Sequence, residues 1–167
     1  MDGYYKDEDE TSNTIKDGWL YTGDEGLIDN EGFLKITGRV KDIFKTSRGK
    51  YVAPSPIEMK LSENKDLEQI CVVGENIPQP IAIAVLSDSG KNRDKESLSI
   101  SLKETLFGIN QKLDKHEQLK KIVVISENWT VENKLLTPTM KIKRNLIEKK
   151  YKDFYQAWYD NQEDIVL

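Results

Sequence analysis

Three short stretches carry polar side chains where local geometry gives little reason for them. In "YTGD", Asp24 follows a glycine on a turn, where a carboxylate can accept two hydrogen bonds from a diol such as a ribose. In "GRVKD", Arg39 sits at the end of an expected strand, where a guanidinium can grip a phosphate or ribose. In "LTPTMKIKR", Thr137, Pro138 and Thr139 keep a helix from starting before Met140. Lys141 therefore falls in the turn leading into the last helix, near its positive N-terminus, where carboxylates are preferred and a lysine opposes the macrodipole. Six of the fourteen residues from Thr139 to Lys152 are basic and only Glu148 is acidic. Such a helix start, with its free backbone N–H groups, makes an anion site. On pattern alone, plainer alternatives are commoner: a turn aspartate capping its own backbone, an exposed strand-end arginine, and a solvated basic face.

Other chemistries are excluded early. There is no G-x-x-x-x-G-K-[ST] loop and no G-x-G-x-x-G after a strand, so neither usual nucleotide-binding motif is present. His116 is the single histidine and lies far in sequence from Cys71, the single cysteine. No Cys/His metal set or Ser-His-Asp triad can be assembled from them. His116 reads as a polar helix-end residue, and Cys71, inside the apolar run "EQICVVGEN", as a buried thiol. A net charge of −4 argues against a general nucleic-acid binder, so an anion site must be local. At 167 residues, 37% hydrophobic and 32% charged, the chain has the composition of a folded single domain or a small domain with an appendage. No apolar run approaches the ~18 residues of a membrane span, and the acidic start lacks a signal peptide's basic region, so the expected compartment is the cytoplasm.

Turn chemistry and periodicity set the elements that must position these residues. The first sixteen residues hold five carboxylates, two lysines and no apolar period, which predicts a loop or truncated edge. "GWLYTGDEGLIDNEGFLKITGR" predicts a hairpin turning at "DNEG", and "DIFKTSRGKYVAP" a second one with Ser47 to Gly49 at its tip. "SPIEMKLSEN" predicts a short helix with Ser55 as N-cap, Pro56 at the first helical position and Glu58 completing a capping box. "LEQICVVGE", "PIAIAVLSD" and "KKIVVIS" predict strands. Leu98, Leu102, Leu106, Ile109 and Leu113 share one face of an expected helix, while Ile142, Leu146, Ile147, Phe154, Tyr155 and Trp158 share one side of a last helix. The sum is α+β, helices layered on a short sheet behind a hairpin unit.

In order, "DGWLYTGD", "GRVKDIFKTSRGKYVAPSPIE" and "LTPTMKIKR" resemble the C-terminal motifs of the adenylate-forming acyl-CoA synthetases, the AMP-dependent synthetases and ligases. Their wording is most similar to the long-chain fatty-acid branch. The resemblance runs from about Gly3 to Tyr151. It implies a fold of short, mostly antiparallel sheet flanked by helices. Residues 1–40 would be the C-terminal end of the large N-terminal AMP-binding domain, and residues 41–167 the lid domain, pivoting on a hinge at Lys41. It implies a fatty acid, Mg2+–ATP and coenzyme A as reactants, with acyl-AMP formed first and the thioester second. Asp24 would bind the ribose hydroxyls, Arg39 the ribose and phosphate region, and Lys141 would be the adenylation lysine. After the lid swings, the hairpin from Asp42 to Tyr51 would enter the active site, Gly49 lying beside the pantetheine; Lys45 and Lys50 match positions that assist catalysis or contact phosphate.

Two departures matter. Many relatives carry "SGK" at the lysine where this chain has "TMK", which removes a glycine. The family's N-terminal domain, with its phosphate loop, acyl tunnel and adenine pocket, is not in the sequence. The chain is thus expected to be inactive alone, to partner its own N-terminal domain, and to pack residues before Lys41 loosely; no metal ligand is assigned to it, and peripheral membrane contact of the full-length enzyme stays open. The alternative from another class is a stand-alone binding or regulatory domain that takes a nucleotide or other anionic partner on its basic helix.

Overall fold

The computed structural model describes residues 1–167. The chain opens with α1 (Glu8–Thr14), β1 (Ile15–Lys16), β2 (Trp19–Leu20), β3 (Asp24–Ile28) and β4 (Leu34–Arg39). A single 3-10 turn, Val40–Asp42, leads to β5 (Phe44–Lys45), β6 (Tyr51–Val52) and α2 (Pro54–Leu61). Then come β7 (Leu67–Val73), β8 (Ile81–Leu86), α3 (Asp88–Lys91), α4 (Lys95–Asn110) and β9 (Ile122–Ile125). The chain closes with α5 (Arg144–Tyr151), a 3-10 turn at Lys152–Phe154, α6 (Tyr155–Asp160) and β10 (Ile165–Val166).

A four-stranded sheet in the order β10-β9-β8-β7 forms the centre. Both of its faces are covered, which explains why its strands read as continuous apolar runs instead of alternating ones. Val72, Ala82, Ala84 and Ile122 meet Ile57 and Leu61 of α2 and Leu98, Leu102 and Leu106 of α4. On the other face Cys71, Val73, Ile81, Ile83 and Val123 meet Trp129, Leu135, Leu136, Ile147, Tyr151 and Tyr155. Antiparallel pairing joins β1–β2, β3–β4, β5–β6 and β7–β8. Within the central sheet, however, β8–β9 and β9–β10 are parallel. Parallel neighbours need a long crossover, and the stretch carrying α3 and α4 supplies the first.

Four local expectations are corrected. The acidic start is not all loop: Asp7 caps α1 by accepting the Glu10 N–H at 2.9 Å, and Glu8, Asp9 and Glu10 in its first turn suit the macrodipole. That helix buries nothing, so periodicity had no way to reveal it. α2 begins at Pro54 with Ala53 as its N-cap and no side-chain cap; Ser55 lies inside it, and Glu58 is turned away to partners described below. α4 ends at Asn110, leaving Leu113 to pack on the core from beyond the helix. The last helix is broken at Lys152–Phe154. Tyr151 and Tyr155 stay buried across the break, while Phe154 is half exposed and stacks on Trp158 with ring centroids 5.6 Å apart. The tail then adds β10, too short to be read from pattern.

Residues 1–40 differ from the remainder: Gly38 is the single buried residue among them. Trp19, Tyr21, Ile28, Phe33, Leu34 and Ile36 are all more than half exposed.

Candidate functional site

Antiparallel register pairs Asp24 with Arg39 across β3 and β4, so two residues fifteen apart in sequence meet as a consequence of the "DNEG" turn. Asp29 stabilises that turn by accepting the Glu31 and Phe33 N–H groups, each at 3.0 Å. Gly23 takes φ +73° just before Asp24, the left-handed conformation that glycine adopts without strain. The Arg39 Nε donates to Asp24 Oδ1 at 3.0 Å. That bond and the adjacent charge raise the pKa of Arg39, and both side chains remain accessible. A diol and a phosphate arriving together would thus meet an ion pair already formed.

Lys41 lies exposed in the 3-10 turn that follows. The second hairpin is closed by Thr46, which donates its N–H to the Lys50 carbonyl at 2.9 Å. Ser47 donates its N–H to the Ile77 carbonyl at 3.0 Å, tying the tip to the loop after β7. Phe44 anchors the hairpin in the core. A Cβ at Gly74 would come within 2.4 Å of the Phe44 ring, so close approach requires glycine there. At the tip Gly49 has φ +78°, with a hypothetical Cβ at an ordinary 3.8 Å from Lys45; its backbone conformation, not crowding, calls for glycine. The Lys45 ammonium is 5.5 Å from the Tyr51 ring centre, within cation–π range, and Lys50 is exposed.

Lys141 is held outside the helix, as Pro138 implied. Leu136 and Ile142 pair as an isolated antiparallel bridge. Between them Thr137 donates its N–H to the Lys141 carbonyl at 2.8 Å, and the Lys141 N–H donates to Thr137 Oγ1 at 3.0 Å. Both ends of the Lys141 peptide are therefore fixed while its side chain is exposed and enters none of the five ion pairs. Met140 adopts φ +61°. The loop thus places a left-handed turn on a residue with a side chain, accepting the strain that brings.

A cluster that sequence reasoning missed lies behind this loop. Arg144, the first residue of α5, is nearly buried and donates to the Val72 carbonyl at 2.8 Å, to Cys71 Sγ at 3.3 Å and to Glu58 Oε1 at 2.5 Å. Glu58 also accepts the Val72 N–H at 2.7 Å. β7 is an edge strand, so these two side chains satisfy the outward backbone groups that would otherwise invite another strand. Burial alone would lower the pKa of Arg144; Cys71, Glu58 and Asp42 outweigh it and the value is raised. Burial pushes the Cys71 thiol up, and Cys71 is the buried thiol that its apolar run indicated.

Glu148 faces the same region from α5. Burial raises its pKa; Arg144 opposes this, and Glu75, Asp42 and Glu58 add to it. A carboxyl raised in the folded state favours its protonated form there, so stability falls as pH climbs from the unfolded to the folded value. Glu148→Gln is expected to raise the melting temperature at neutral pH by about 1–3 °C and to change nothing once both states are protonated in acid. A scan of melting temperature against pH checks this, and an equal shift at all pH values would refute the assignment.

A family profile for the AMP-binding enzyme C-terminal domain matches residues 41–163. The chain belongs to that family of adenylate-forming enzymes. It is 35% identical over 97% of its length to Long-chain-fatty-acid–CoA ligase 5 of Mus musculus. It is 30% identical over 96% of its length to Long-chain-fatty-acid–CoA ligase FadD15 of Mycobacterium tuberculosis. It spans 26% of the first relative and 30% of the second. Among solved structures, the adenylation domain of a carboxylate reductase from Mycobacterium chelonae superposes with a TM-score of 0.75 at 26% identity, over 95% of this chain and 26% of that one. The o-succinylbenzoate coenzyme A synthetase of Bacillus subtilis, solved with AMP, superposes with a TM-score of 0.61 at 25% identity, over 89% and 28%.

Proposed function

We propose that the chain is the mobile lid, with the last hairpin of the preceding domain, of a long-chain fatty acid–CoA ligase. The observation that carries this is Lys141: an exposed, unpaired ammonium on a loop whose backbone is pinned on both sides, in a chain aligned with long-chain ligases over nearly its full length. The division falls at Lys41, with residues 1–40 belonging to the large domain. Their large apolar side chains, left exposed with Gly38 alone buried, support that assignment, because a larger partner could cover them.

In the first half-reaction a fatty-acid oxygen attacks the α-phosphate of ATP, the bond to the β-phosphate bridging oxygen breaks, and acyl-AMP and pyrophosphate form. Lys141 neutralises charge building between the two anions, and Asp24 and Arg39 orient the ribose and phosphate. In the second, the sulfur of coenzyme A attacks the acyl carbonyl and AMP leaves. The hairpin with Lys45, Gly49 and Lys50 lies beside the incoming thiol arm, where the glycine lets backbone approach closely. Mg2+ would come with the nucleotide and supply charge neutralisation there, at sites that the N-terminal domain would mostly provide. The proposal keeps the cytoplasm as the compartment, and no helix of the chain is long and apolar enough to cross a membrane.

The test joins the chain to the N-terminal domain of a long-chain ligase and follows fatty-acid-dependent ATP–pyrophosphate exchange. The chain alone is expected to give none and the joined protein to give exchange. Exchange that never appears, together with tight nucleotide binding by the chain alone, would replace this reading with that of a stand-alone binding domain.

A further inference from the structure

Arg144 lies three residues after Lys141 and closes the far side of its loop. Every hydrogen bond its guanidinium makes goes to an element remote in sequence: the β7 edge at Cys71 and Val72, and α2 at Glu58. Its Nε alone has no hydrogen-bond partner and faces Asp42 Oδ2 at 3.8 Å. Asp42 is the residue after Lys41, in the 3-10 turn that joins the lid to the preceding hairpin. One planar side chain, rooted just after the lysine loop, thus touches the edge of the central sheet, α2 and the turn at the pivot. A lysine could not reproduce this, because the contacts use the separate N–H groups of a fixed fork.

We infer that Arg144 is a positioning residue for adenylation: it seats the Lys141 loop on the β7 edge through Val72 and Glu58 and references that loop to the hinge through Asp42. This rests on the reading of Lys141 and Lys41 given above. The strong contacts to Val72 and Glu58 make the loop and the sheet one rigid body. The longer contact to Asp42, on the lid side of Lys41, ties the base of the lysine loop to the residue next to the pivot. Buried Leu135, Leu136 and Ile147 pack the two ends of the loop against the sheet, and Arg144 adds the polar tie that fixes them on the β7 edge and beside the hinge.

The test uses the full-length ligase carrying this lid and measures the two half-reactions separately, ATP–pyrophosphate exchange and thioester formation from supplied acyl-AMP. Because misplacing a reacting group by about 1 Å costs on the order of 10²-fold, Arg144→Lys is expected to lower exchange by about 10–100-fold through kcat. The KM for ATP and the thioester step should each stay within about threefold, since neither uses the position of Lys141. Glu58→Gln should give the same selective loss at smaller size. Asp42→Asn leaves both edge contacts in place and is expected to change the ratio of the two half-reactions by about threefold or more. Equal loss in both half-reactions for Arg144→Lys, or unchanged exchange for all three variants, would overturn the inference. Lys141→Ala measured alongside separates the levels: if it spares exchange, the underlying reading fails, and if it alone abolishes exchange, only the role of Arg144 fails.

Discussion

Lys141→Ala in the full-length ligase is expected to lower fatty-acid-dependent ATP–pyrophosphate exchange by on the order of 10²-fold or more, the cost of removing one charge-stabilising donor from a transition state. Thioester formation from supplied acyl-AMP should be largely spared. The asymmetry follows from the structure as well as the chemistry. Lys141 is exposed, outside the core and free of ion pairs, so its loss removes no packing, and its loop is held by backbone and Thr137 contacts that alanine retains. Folding and the second step therefore have no reason to change. Loss of both half-reactions to the same degree would sink the division of roles between this loop and the 44–52 hairpin.

The largest expected effect on stability comes from a different lysine. Lys121 is 1% exposed, and its ammonium donates to the Asn161 carbonyl at 2.6 Å and the Glu163 carbonyl at 3.0 Å. Those bonds fold the turn after α6 back so that Asp164 can accept the Ile122 N–H at 3.0 Å and Ile165 can pair with Ile122. Burial lowers the pKa of Lys121, and Lys120 adds to this, while Asp164, Asp160 and Glu163 oppose it. Lys121→Met keeps most of the apolar stem but removes two charge-assisted hydrogen bonds, each worth about 1.5–3 kcal/mol. A destabilisation of about 3 kcal/mol is expected from that loss, with β10 released from β9. Urea unfolding reads the first effect, and faster amide exchange at Ile122 reads the second. A variant with an unchanged midpoint and unchanged Ile122 protection would show that β10, not the lysine, holds the tail.

Much of the framework was legible in advance because it rests on short-range rules. The hairpin at "DNEG" follows from turn chemistry, and its register alone brings Asp24 to Arg39. The strands around Cys71 and Ile83 follow from apolar runs. The helix from Lys95 follows from a 3–4 spacing that tolerated Gly108, which faces open space. Glu58 shows where such rules fail. Its spacing from Ser55 satisfies a capping box, yet in the folded chain its carboxylate serves Val72 and Arg144, because a buried guanidinium and an edge-strand N–H bind it more strongly than an exposed helix start does. Arg144 itself was one basic residue among six, and its partner is 86 residues away.

Residue order by itself determined that this is an α+β chain, that Lys141 stands outside a helix behind Pro138, and that the motifs follow the order of the adenylate-forming enzymes; each depends on neighbours within a turn or a strand. The tertiary structure alone decided which cations are free and which are committed. Lys141 and Lys50 remain in solvent, while Lys121 is buried against carbonyls and Arg144 nearly so against a carbonyl and a carboxylate. A charge can be withdrawn from water only where distant segments converge to replace its hydration, and that convergence exists only in the assembled fold.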